Sequence, residues 1–182
     1  MPAAGAATAT ATTATVATAA SDASVGPRAT CQPGHDGYLR ARMRGAKDLD
    51  VDWRDGQLEC DGSPRPDRSG IRLTFAGPIA TDGRRLRFVF GIVGAQRIGI
   101  SRDLPVNVTV IFEDDHRLYA TRGANKCTID VLDENPVATD GGPKGLRVTG
   151  RGFCVAPATA SDGGAGLLLS RFDFSGTALD SE

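Results

Sequence analysis

The chain is short of aromatic residues, of lysine, of glutamate and of long apolar runs. One tryptophan, two tyrosines and seven phenylalanines serve 182 residues. Sheets that bind sugars usually stack them on exposed rings, so this shortage weighs against a lectin. It leaves Tyr38 and Tyr119 as candidate ligand contacts. The longest apolar run, Phe88 to Ala95, is broken by Gly91 and Gly94. A helix that crosses a bilayer needs about 20 apolar residues, so no transmembrane segment is expected. Three lysines stand against eighteen arginines, and four glutamates against eighteen aspartates. Aspartate caps turns whereas glutamate favours helix, so the imbalance fits a chain of many turns and few helices. The arginine excess reads as the codon bias of a genome rich in G and C. The net charge is −1 and no block of like charge occurs, which gives no reason to expect nucleic acid or an acidic membrane as partner. GxSxG, GxGxxG and Walker patterns are missing, as is any CxxC pair.

What cysteine there is comes as an even set: Cys31, Cys60, Cys127 and Cys154. Zinc sites present close pairs, and these spacings are wide. Two disulfides in an oxidising compartment are the expected use, with the sequential pairing Cys31–Cys60 and Cys127–Cys154 tying neighbouring strands. Buried free thiols are the other reading.

Residues 1–27 are almost all alanine and threonine around MPAAGAATATATTATVATAA. The segment lacks the basic start and leucine-rich centre of a signal peptide, although Ala17-Thr18-Ala19 resembles a small-residue cleavage site. It is expected to be a disordered leader, cleaved or kept as a spacer, with one folded domain over 28–182. From Gly37 onward, short alternating runs are separated by glycine, proline, aspartate and asparagine, with no 3.6-residue period. The pattern predicts an all-β fold of about ten strands, a two-sheet antiparallel β-sandwich of Ig-like or jelly-roll-like form. LRFVFGIVG, Leu86 to Gly94, is apolar at both parities and reads as a central strand covered on both faces.

In RARMRGAKDLDVDW, Arg40, Arg42 and Arg44 alternate with Ala41 and Met43, and Asp48, Asp50 and Asp52 alternate with Leu49 and Val51. A hairpin turning at Gly45-Ala46-Lys47 would pair Arg44 with Asp48, Arg42 with Asp50 and Arg40 with Asp52 on the wet face. A second reading is anion binding by Arg40, Arg42 and Arg44, which the facing aspartates would neutralise. A third is calcium, held by Asp48, Asp50, Asp52 or Asp55. The spacing matches the acidic positions of an EF-hand, but Trp53 stands where that loop needs glycine and no helix pattern flanks it.

For hydrolysis, His35 in CQPGHDGY and His116 in FEDDHRL are the only histidines, and neither has a nucleophile implied beside it. Both rank instead as candidate ligand contacts. The sequence therefore points to an exported periplasmic or extracellular module, non-catalytic and without cofactor, whose partner is a protein or a surface glycan. The alternatives are a calcium- or carbohydrate-binding module and, behind these, a hydrolase.

Overall fold

The computed structural model describes Met1, Cys31 and residues 36–79, 84–95, 98–123, 125–137 and 145–179. The leader expected over 1–27, Met1 apart, lies outside these residues, as does His35. The described residues form eleven strands: β1 (Tyr38–Gly45), β2 (Leu49–Arg54), β3 (Glu59–Pro64), β4 (Gly70–Pro78), β5 (Arg85–Val93), β6 (Gly99–Phe112), β7 (Arg117–Ala120), β8 (Cys127–Val137), β9 (Gly145–Cys154), β10 (Thr159–Ala160) and β11 (Leu167–Leu179). All pair antiparallel.

Nine strands follow one another in the order β2-β1-β11-β9-β8-β6-β5-β4-β3, while β7 pairs with β6 and β10 with β7. The sequence reading anticipates two sheets facing each other. The hydrogen-bonded path instead runs unbroken as one curled sheet, a half-barrel, because β6 belongs to both halves. Its first part, Gly99 to Pro105, pairs with β8, and its second part, Val106 to Phe112, pairs with β5. Near the end of the first part Asp103 takes a φ of 51° and Pro105 offers no N–H, so the ladder is released on one side and resumed on the other.

The concave side holds the core. On β5 the residues alternate strictly: Leu86, Phe88, Phe90 and Ile92 are buried while Val89 and Gly91 on the opposite face are half-exposed. The expectation of a strand covered on both faces is thus corrected, since valine and glycine on the outer side only imitate a second core face. Phe90 meets Phe172 and Phe174 of β11 at ring-centroid distances of 5.1 and 5.0 Å, and Phe75 of β4 meets Phe174 at 5.5 Å. Each such pair adds about 0.5–1.5 kcal/mol beyond the area it buries. These contacts join strands from opposite halves of the curl.

The rings of β11 also sit on bare backbone. A Cβ at Gly150 of β9 would lie 2.7 Å from Phe174 Cζ, and one at Gly152 would strike the carbonyl oxygen of Thr128 as well as Phe172. Gly62 of β3 leaves room in the same way for the main chain of Thr177 and Ala178, so β3 lies against β11. Trp53 of β2 is buried as its alternation predicts, edge-on to Phe88 at 5.7 Å, and its Nε1 donates to the carbonyl of Pro78 at 2.8 Å.

Both disulfides take the sequential pairing, Cys31–Cys60 and Cys127–Cys154. Cys127 and Cys154 are direct register partners of β8 and β9. Cys31 is held in place besides, its N–H donating to Asp55 Oδ1 at 3.1 Å and its carbonyl accepting from Thr177 Oγ1 at 2.8 Å.

Two outcomes are expected in denaturant titration. Gly150→Ala lowers stability by about 1–3 kcal/mol through overpacking against Phe174. Gly152→Ala costs more, because its clash is with backbone; equal costs would mean the rings move aside freely. Replacing both Cys127 and Cys154 by alanine removes about 2–4 kcal/mol.

Candidate functional site

On the convex side of β2, β1, β11, β9 and β8, register lines up three rows of outward side chains. One runs Arg54, Tyr38, Ser175, Thr149 and Asp133. The next runs Asp52, Arg40, Asp173, Arg151 and Val131. In the third, Asp50 faces Arg42, which faces Arg171, with Phe153 two residues beyond Arg151 on the neighbouring strand. Alternation on each strand puts these residues outward while Leu39, Ala41, Phe172 and Phe174 point inward.

The hairpin charges pair much as their spacing predicts. Arg40 reaches Asp52 at 3.3 Å and Asp173 at 3.4 Å, and Arg42 reaches Asp50 at 3.6 Å. Arg44 departs from expectation: it binds Asp50 diagonally at 2.6 Å, while Asp48 accepts the N–H of Gly45 at 3.0 Å and closes the turn. Gly45 has a φ of 106°, a conformation that suits glycine. The hydrogen bond from Arg44 holds the Asp50 carboxyl below its ordinary value, with the charges of Arg44 and Arg42 acting in the same direction.

The aspartates considered for calcium are therefore spread among separate tasks. Asp50 and Asp52 face arginines, Asp48 caps the turn and Asp55 accepts the Cys31 N–H. Among the described residues no three His, Cys, Asp or Glu side chains gather as a metal-binding set. The ligand-contact candidates also separate. Tyr119 is only 1% exposed and packs edge-on against Phe112 at 5.9 Å, so it is a core residue and not a surface contact. Its strand is too short to show its alternation clearly in sequence. His116 lies in an exposed turn with a φ of 50°, its N–H directed to the carbonyl of Glu113. Tyr38 is half-buried, with the Arg40 guanidinium 5.1 Å from its ring centroid. Burial first, and then the Asp173 carboxylate, push its hydroxyl above the ordinary value, against a smaller pull from Arg40.

Three shallow concavities of about 340–400 Å³ lie on this face, and Arg171 lines all of them. Arg151 lines two. Both guanidinium groups are exposed, and among the described residues neither side chain has a hydrogen-bonding or ion-pair partner. Arg171 also stands directly opposite Arg42 in the β1–β11 register, beside a bulge where Ser170 Oγ donates to the Arg42 carbonyl at 3.2 Å. Like charges facing across strands are unfavourable. The face thus combines ion-paired arginines, at β2 and β1, with two guanidiniums at β11 and β9 that make no ion pair among the described residues although Asp173 stands in register with Arg151.

No family model, curated protein or solved structure matches the chain. The geometry stands alone as the guide to function. Arg151, Arg171 and Phe153 were not singled out by sequence reading. Their signal was the outward parity of RGF and SRFDF, which gains meaning only when β11 is known to lie between β1 and β9.

Because Asp50 titrates below its unfolded value of 3.8, its pairing stabilises the fold above that pH and is lost as pH falls through the lowered value. Asp50→Asn is expected to reduce the acid sensitivity of the melting temperature below about pH 4. An unchanged acid limb would show that the Arg44 contact carries no stability. Melting with calcium and with chelator at matched ionic strength should give the same temperature, since Asp50 and Asp52 already face arginines. A rise with calcium would mean that these aspartates leave the arginines for an ion.

Proposed function

We infer that this protein is an exported, disulfide-stabilised, non-catalytic module that binds a partner through the convex face around Arg171. The observation that carries the reading is the pair of guanidiniums, Arg151 and Arg171, that have no partner among the described residues and line concavities beside arginines that are ion-paired with aspartates. Arginine presents a rigid fork of donors, costly to leave idle beside a second cation and well suited to a partner's carboxylate or similar oxyanion. Two intramolecular disulfides fit an oxidising compartment, and export follows from that. The module is taken to span 28–182 behind its alanine- and threonine-rich leader, with the two halves of the curl facing each other in the manner of a sandwich.

A panel of glycans and envelope proteins, presented to the full chain and to Arg171→Glu, tests the reading. At least one class should bind the parent and lose about tenfold or more in affinity to the variant, a change of about 1.4 kcal/mol. Partners that bind both proteins equally would move the contact surface elsewhere.

A further inference from the structure

We propose that the Arg42–Arg171–Arg151 cluster recognises carboxylate groups of an acidic, uronate-bearing polysaccharide lying across β1, β11 and β9. The proposal rests on the reading of this convex face as the contact surface and assigns its ligand class. Four features of the face converge on that chemistry.

The first is the set of open guanidinium donors. Among the described residues Arg151 and Arg171 have no hydrogen-bonding or ion-pair partner, while Arg42, the register partner of Arg171, is already shared with Asp50 at 3.6 Å. A carboxylate beside Arg171 takes its donors and eases the repulsion from Arg42. Arg151, on the next strand and lining a concavity with Arg171, stands ready for a second carboxylate.

The second is the acid in the same concavities. Asp130 lines one with Arg151, and Asp133 and Asp173 line another. These carboxylates oppose simple attraction of any polyanion, so an acidic ligand is held here by hydrogen bonds at defined positions and not by net charge. They also accept hydrogen bonds, and hydroxyl groups of a sugar are donors for them. A ligand that alternates isolated carboxylates with hydroxyls satisfies both kinds of side chain.

The third is the ring at the border. Phe153 is 38% exposed, an aromatic side chain on the outer face of β9. It lies outward on the same strand as Arg151, two residues on, and offers a surface for the apolar side of a pyranose. Tyr38 flanks the opposite row and lines one concavity with Arg151, Arg171 and Asp173, its phenol O–H a donor and acceptor for a ligand hydroxyl.

The fourth is shape. The concavities are shallow and share Arg171, so they form a continuous track across strands and not a closed pocket. A chain can pass along such a track and make several weak contacts, each reinforcing the next.

The test is calorimetric titration of the full chain with sodium polygalacturonate, with dextran and with dextran sulfate, at low and at physiological salt. Binding is expected for polygalacturonate, weakening with salt and exceeding that for dextran at least tenfold. The paired change Arg151→Gln and Arg171→Gln should weaken it at least tenfold while melting at the parent temperature. Arg72→Gln, outward on β4 in the other half of the curl, should leave it unchanged. Absence of polygalacturonate binding, equal binding by the paired variant, or dextran binding as tight as polygalacturonate would each overturn the proposal. Tighter binding to dextran sulfate would overturn its carboxylate specificity, pointing to simple polyanion attraction. If polygalacturonate fails while another partner of the panel binds in an Arg171-dependent way, the contact face stands and only the ligand class falls. If no partner of any class depends on Arg171, both fall.

Discussion

Everything else in this fold depends on the aromatic rings of β11 being able to lie flat against neighbouring strands. On the inner face, Phe172 and Phe174 press sideways onto β9 at glycines and across the core onto Phe90, so one strand fastens the two halves of the curled sheet. With only ten aromatic side chains available, the protein spends five phenylalanines on this one junction and its approach from Phe88. The absence of side chains at Gly150 and Gly152 is as necessary as the presence of the rings. A core assembled this way tolerates little change in volume, because ring and backbone are already in contact.

The same arrangement fixes the outer face. Inward rings at Phe172 and Phe174 force Arg171 and Asp173 outward, and inward glycines at 150 and 152 force Arg151 and Phe153 outward. The charged surface is thus the other parity of the core. Its two ends differ in character. In the hairpin of β1 and β2 the arginines are ion-paired with Asp50 and Asp52, whereas among the described residues Arg171 and Arg151 of β11 and β9 make no ion pair. Exposed pairs like those in the hairpin contribute little to stability.

The all-β character, the hairpin register and the sequential disulfides were legible from parity, turn residues and cysteine spacing alone. A two-residue period with an apolar side admits a single register, so Arg40 and Asp52 had to meet, as did Arg42 and Asp50. Other parts were hidden for identifiable reasons. β3, ECDGSP, has no run of apolar residues and is recruited by Cys60 and by pairing to β4. β6 begins seven residues before its alternating part, because Asp103 and Pro105 disguise the first half as a loop. The arginine cluster was out of reach because β1 and β11 are neighbours across most of the chain, and a period of two says which way a side chain points but not what strand lies alongside.

Among the described residues the half-barrel does not close, and β2 ends the path with no strand on its outer rim. Such a rim is a template on which another copy can add a strand and begin a fibril. β2 is only six residues long, and aspartates and an arginine alternate along it. Any chain docking in register there would stack Asp50 and Asp52 against charges of its own, and the apolar residues between them are already engaged in the core. The salt-laddered hairpin thus also guards the open end of the sheet against aggregation.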